Sequence, residues 1–214
     1  MKKLVIFDLD GTLLNTISDL GNACNHALEQ MGFSPHPLSA YNYMVGNGVR
    51  KLMERAEPDA DSITIDRLLA EFRAYYDDHC TDLTRPYPGI PELLSTLVSH
   101  GVAVAVTSNK YQAAVTKIIN HHFTEIPFVA ALGEVSGRPK KPDPSIVFAA
   151  LSEHPTPKRD VLYVGDSAVD METARRACVE SVGVSWGSAR SPNFGPHTPT
   201  ISYPPPPTFS RSQE

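Results

Sequence analysis

Cysteine is scarce: three residues in 214 (Cys24, Cys80 and Cys178), far apart and in no metal-ligand spacing. That excludes a disulfide scaffold and a zinc module, and scattered thiols suit the reducing cytoplasm. Long apolar runs are missing too. The run Leu4-Val5-Ile6-Phe7 after Met1-Lys2-Lys3 stops at Asp8, too short for a signal peptide or a membrane span. Basic residues are not in excess: 19 Lys and Arg against 24 Asp and Glu give a net charge of −5. A broad nucleic-acid or anionic-membrane surface is therefore not expected, and the expected partner is a small molecule. No repeat is visible, the histidines fall in no metal spacing, and oligomeric state is not legible. Apolar content of 41% and charged content of 20% are those of an ordinary globular chain.

What is present is an alternation. Residues 3–8 read as a buried strand. Helices are expected at 18–32, with Ser18 as N-cap and Gly32 as stop, at 38–56 with a break at Gly46-Asn47-Gly48, and at 62–80. In the last, Ile65, Leu68, Leu69, Phe72, Tyr75 and Tyr76 recur at helical spacing. Arg85-Pro86-Tyr87-Pro88-Gly89 reads as a linker. Beyond it come helix 90–100, strand 102–107, helix 111–121, a short strand near 128–130, helix 143–153, strand 161–164, helix 167–178 and strand 182–186. Alternating strands and helices imply a doubly wound parallel α/β sheet, Rossmann-like, with a helical cap inserted after the first strand. The expected division is 1–14 plus 86–187 for the core and 15–85 for the cap. The segment 188–214, with Pro204 to Pro207 in a row, is expected to be a disordered tail.

Polar residues gather where these strands end. Asp8 and Asp10 follow the first strand. Ser108-Asn109-Lys110 follows the second, Lys140-Lys141-Pro142-Asp143-Pro144 precedes helix 143–153, and Gly165-Asp166-Ser167 with Asp170 follows the strand at 161–164. Carboxyl ends of parallel strands share one edge and bind ligands there. Several hard oxygen donors suit Mg²⁺ together with a substrate phosphate, and an aspartate can itself accept a phosphoryl group. A carboxylate approaching a phosphate meets repulsion of roughly 4 kcal/mol at 4 Å and an effective dielectric of 20. A cation and Lys141 would reverse the sign. Ser108 can donate to a phosphoryl oxygen, and Asp10 is placed to be general acid and then base. Asn109 and Lys110 are read evenly as binding residues or solvated surface.

Asp8-Leu9-Asp10-Gly11-Thr12, Ser108-Asn109-Lys110, Lys141-Pro142-Asp143-Pro144 and Gly165-Asp166-Ser167-Ala168-Val169-Asp170 resemble the four ordered motifs of the haloacid dehalogenase-like hydrolase superfamily. Within it the chain is most similar to phosphoglycolate phosphatases, whose substrate-facing cap loop resembles Tyr43 to Arg50. The resemblance spans about residues 3–187. It implies a Mg²⁺-dependent phosphatase for a small phosphate monoester, phosphoglycolate first, working through an aspartyl-phosphate. It implies Asp8 as nucleophile and metal ligand, Asp10 as acid/base and backbone-carbonyl ligand, Asp166 as metal ligand and Asp170 as its organiser. Ser108 and Lys141 would bind the phosphoryl group, with Asn109 and Arg50 as further substrate contacts. After about residue 187 the family's further helix and strand are replaced by the proline-rich segment. Competing readings are a phosphomutase or pyrophosphatase on the same scaffold, and a non-enzymatic aspartate phospho-acceptor. The cap and Asp10 argue against the acceptor, and Asp10 also disfavours dehalogenation.

Overall fold

A computed structural model describes residues 1–187; the segment from 188 lies outside the described residues, and so does the expectation of a disordered tail. Its centre is β1 (Leu4–Phe7), four residues buried on both faces. Alternation along the strand sends Val5 and Phe7 into one apolar cluster and Leu4 and Ile6 into the other, the period of two that strand geometry dictates. β4 (Ala103–Tyr111) and β6 (Val161–Gly165) flank β1 in parallel, and β5 (Ala130–Glu134) and β7 (Glu180–Gly183) complete a five-stranded parallel sheet in the order β5-β4-β1-β6-β7. The crossover helices are α4 (Ile90–Ser99), α5 (Gln112–His122), α6 (Ser145–Glu153) and α7 (Ala168–Ala177).

Between β1 and α4 the chain forms three helices, α1 (Ile17–Gln30), α2 (Val49–Ala56) and α3 (Ser62–His79), with a short 3₁₀ segment over Leu38–Tyr43. Of the α3 positions read as its apolar face, Ile65, Leu68, Phe72 and Tyr76 are buried, and Leu69 and Tyr75 are partly so. The helical segment leaves and returns through a two-stranded antiparallel pair, β2 (Leu14–Asn15) and β3 (Arg85–Pro86). Of this pair, Arg85-Pro86 was expected to be linker. Strands of two residues carry no periodicity, and Pro86 argues against a ladder that needs its N–H; here the ladder ends with the pair.

Other boundaries moved for tertiary reasons. α1 starts with Thr16 rather than Ser18 at its N-cap, and the Thr16 side chain makes no capping bond, because its hydroxyl donates to Asp10 instead. The strand expected near 128–130 runs over 130–134, where its partner β4 offers a free edge; Ala130 pairs with Ala105 and Leu132 with Thr107. β4 itself continues past Thr107 to Tyr111, so the expected site residues Ser108 and Asn109 lie on an extended strand. β7 ends at Gly183, and Val184 still donates to the Gly165 carbonyl. Among the described residues no helix is long and apolar enough to cross a membrane, and Cys24, Cys80 and Cys178 are free thiols.

Candidate active site

At the carboxyl end of the central strand β1, the chain delivers Asp8 into a buried position and turns at Gly11. Asp8, Asp166 and Asp170 are each under 10% exposed. Each offers a carboxylate oxygen within 4.8 Å of the others. Such crowding needs a counter-charge, and Lys141 provides one. Its ammonium donates to Asp8 Oδ1 and Asp170 Oδ1, both at 2.7 Å, and to the Thr107 carbonyl at 3.2 Å. Burial opposes the Lys141 charge, but the Asp170 and Asp8 carboxylates outweigh it and hold the ammonium well above the ordinary lysine range. For Asp8, burial and then repulsion from Asp170 push the carboxyl above its usual range, while Lys141 pulls it back.

Asp170 is committed twice. It forms a capping box at the start of α7: Ser167 accepts from the Asp170 amide, while Asp170 Oδ2 accepts from the Ser167 amide at 3.2 Å and the Ser167 hydroxyl at 2.6 Å. Its other oxygen holds Lys141. The helix start thereby fixes the lysine. Asp166 is set by close approach from two glycines. A Cβ on Gly11, which lies at φ +88°, would fall 2.2 Å from Asp166 Oδ2, and one on Gly187 would fall at the same distance. No side chain other than hydrogen fits at either position.

Asp10 turns its side chain away from this cluster, so the three-carboxylate group holds Asp8, Asp166 and Asp170 without it. Asp10 Oδ1 accepts from the Thr16 hydroxyl at 2.6 Å and is 3.0 Å from Lys110 Nζ; Oδ2 accepts from the Ser108 hydroxyl at 3.3 Å. Asp8 and Asp10 are separated by one residue, and each has its own lysine.

Asn109, expected to contact substrate, has its amide engaged. Oδ1 accepts from the Lys141 amide at 2.9 Å, and Nδ2 donates to the Lys141 and Gly46 carbonyls, each at 3.2 Å. It clasps the lysine loop and ties it to the cap. Arg50 is absent from the cavity lining. It pairs with Asp66 on α3 and lines a neighbouring cleft with Arg73, Glu134 and Lys140. On α2, Val49, Leu52 and Met53 take the buried face, and the helical period turns Arg50 out of it.

Lys110, left open as binding residue or surface, is 6% exposed and faces Asp10. Ser108 and Lys110 converge on Asp10 because β4 runs on past the expected strand end at Thr107. Tyr76 of α3, read only as apolar helix face, donates none of its burial to solvent: it is 0% exposed, and its hydroxyl accepts from Lys110 at 2.7 Å. Beneath the site, Tyr163 and Thr107 share a hydrogen bond at 2.9 Å. Above the carboxylates lies a cavity of about 90 Å³. Core polar groups form its floor, and Leu20, Val45, Gly46, Gly48, Val49 and Leu52 close it from the cap.

A parallel α/β core, a helical cap entering after the first strand, and paired aspartates facing a lysine at the sheet edge define a class. The sequence profile of the haloacid dehalogenase-like hydrolases matches residues 5–184, and the chain belongs to that family. Within it the chain is similar to the phosphoglycolate phosphatase of Pseudomonas fluorescens strain Pf0-1, at 32% identity over 94% of this chain and 76% of the relative. It is likewise similar to the phosphoglycolate phosphatase of Neisseria meningitidis serogroup A, at 34% identity over 86% of this chain and 80% of the relative. Among solved structures, a protein from Lactobacillus delbrueckii subsp. bulgaricus matches with a TM-score of 0.87 at 32% identity, covering 95% of each chain.

Proposed function

We propose that this chain is a Mg²⁺-dependent phosphatase that hydrolyses a small phosphate monoester, phosphoglycolate first, by way of a phosphoryl group on Asp8. One observation carries the reading: Asp8 Oδ1 lies 2.7 Å from Lys141 Nζ at the end of the central strand, with Asp10 and Ser108 beside it in the cavity beneath the cap. Asp8 is the nucleophile. Lys141 and the Ser108 hydroxyl take the phosphoryl oxygens. Asp10 gives a proton to the leaving oxygen and later takes one from the water that opens the aspartyl-phosphate. The small cavity favours a substrate of few atoms.

The residues present fit a Mg²⁺ ion: hard oxygen donors converge within reach of one centre, and the bare faces of Gly11 and Gly187 leave Asp166 room to approach. Asp8 and Asp166 would hold the ion with the Asp10 carbonyl, while Asp170 keeps Lys141 and Ser167 in place. Bound there, Mg²⁺ supplies the positive charge that lets a carboxylate meet a phosphate dianion. Free thiols at Cys24 and Cys80 support a cytoplasmic location, and the partner is a small phosphorylated metabolite rather than nucleic acid or membrane.

The test is phosphate release, with Mg²⁺, from a panel of phosphoglycolate, hexose phosphates and pyrophosphate, ranked by kcat/KM. Phosphoglycolate is expected to lead; preference for pyrophosphate or a sugar phosphate overturns the substrate. Asp8→Asn is expected to lower kcat by about 10⁴-fold or more. A rate near that of the parent chain removes Asp8 as nucleophile.

A further inference from the structure

Lys110 is the second buried lysine of the site. Its side chain is 3% exposed and lies 3.0 Å from Asp10 Oδ1. A buried ammonium is costly unless paired and hydrogen-bonded, so its place has to be built. One partner comes from the core, Asp10. The other comes from the cap: the Tyr76 hydroxyl accepts from Lys110 at 2.7 Å, and the ammonium also lies 4.7 Å from the centre of the Tyr76 ring. Tyr76 is stacked on Phe72 within α3 at 5.1 Å, so its position is that of the cap helix.

The consequence is an asymmetry in Asp10. Oδ1 takes both strong donors, Thr16 Oγ1 at 2.6 Å and Lys110. Among the described residues, Oδ2 takes the Ser108 hydroxyl alone, at 3.3 Å. Ser108 is itself oriented by Lys110, whose backbone amide donates to Ser108 Oγ at 3.0 Å. One oxygen is anchored, and the other is presented to the group that faces the phosphoryl position.

We propose that Lys110 is the positioning residue for Asp10, and that Tyr76 holds Lys110 there only while the cap is docked. This rests on the phosphatase reading above and on Asp10 as its acid. In the first step an Asp8 oxygen forms a bond to phosphorus as the bond from phosphorus to the ester oxygen breaks. The bonding pair goes to that oxygen, which takes the proton of Asp10 Oδ2, leaving Asp10 a carboxylate. Anchoring Oδ1 through a cap residue gives Asp10 this orientation when the cavity is closed and withdraws it when the cap lifts.

Leaving-group dependence tests this. Glycolate must be protonated as it leaves phosphoglycolate, whereas acetate leaves acetyl phosphate, a substrate of similar size, without a proton. The ratio kcat/KM covers only the steps through leaving-group departure. For Tyr76→Phe it is expected to fall about tenfold with phosphoglycolate and less than about twofold with acetyl phosphate, and Lys110→Met is expected to widen the gap to about 100-fold. Equal losses on both esters, or no loss on either, overturn the inference. Tyr76→Phe keeps the ring and decides the matter if Lys110→Met does not fold. A parent chain inactive on both esters removes the phosphatase reading and the inference together; a parent active on both, with variants slowed equally, removes only the inference.

Discussion

Asp8 and Asp10 differ by one residue and almost entirely by environment. Asp8 is fully enclosed beside Asp170 and Lys141, while Asp10 faces Thr16, Ser108 and Lys110. The proposed roles, nucleophile for Asp8 and acid then base for Asp10, follow that difference in surroundings. The residue beside them is as constrained as they are. Gly11 sits at φ +88° with the Asp166 carboxylate where a Cβ would be. Gly11→Ala is expected to displace Asp166 and to raise the Mg²⁺ concentration for half-maximal activity by about tenfold, besides a backbone cost of about 1–2 kcal/mol. A Mg²⁺ titration of phosphate release checks it; an unchanged midpoint would show that Asp166 does not hold the ion.

At the scale of elements, the start of α7 has two duties. Its capping box satisfies backbone amides and also fixes Asp170 against Lys141. Ser167→Ala removes the cap and is expected to cost about 1 kcal/mol, a fall in Tm of about 2–4 °C for a chain of this size. Thermal melts followed by circular dichroism measure it. The same element shows what was legible in the sequence. The helix expected from residue 167 and the expected site residues Asp166 and Asp170 fall at one point: Ser167 is the N-cap, and Asp170 both closes the capping box and joins Asp8 and Asp166 in the carboxylate group. β2 and β3 were not legible, since two-residue strands exist only because the chain leaves and re-enters the core at one point. The extension of β4 to Tyr111 was not legible either; its residues Ser108 to Lys110 are polar and buried, the register against β5 shifts across them, and pairing resumes only between Tyr111 and Glu134.

Across the whole molecule, burial keeps an unusual number of weak acids neutral. Desolvation raises the Cys24 thiol to about 11 and pushes Tyr41, Tyr76, Tyr87, Tyr111 and Tyr163 above the ordinary tyrosine range. In the unfolded chain these groups lose protons near pH 9 to 10, while the folded chain retains them. The folded state then binds more protons, so stability is intact below about pH 9 and falls as pH rises, by up to about 1.4 kcal/mol per pH unit for each group. Tm is expected to be flat between pH 7 and 8.5 and to drop steeply by pH 10.5, with the tyrosinate absorbance of these five tyrosines, out of eight in the chain, appearing only on unfolding. Tyrosinate absorbance exceeding that of the three other tyrosines before the melt, the exposed Tyr43 among them, would mean that the buried hydroxyls are open to solvent.

The sequence by itself determined the strands that end in carboxylates, their parallel arrangement, the helical insertion and the identities of Asp8, Asp10, Ser108, Lys141, Asp166 and Asp170 as one group. These are local facts: apolar runs of strand length, helical periods, and acids placed where strands stop. Tertiary structure alone decided which lysine serves which aspartate, that Asn109 clasps the Lys141 loop, that Arg50 pairs with Asp66 outside the cavity, and that Tyr76 of the cap reaches Lys110 of the core. Each of those depends on residues far apart in the chain meeting at distances of about a hydrogen bond, and no period in the sequence encodes such a meeting.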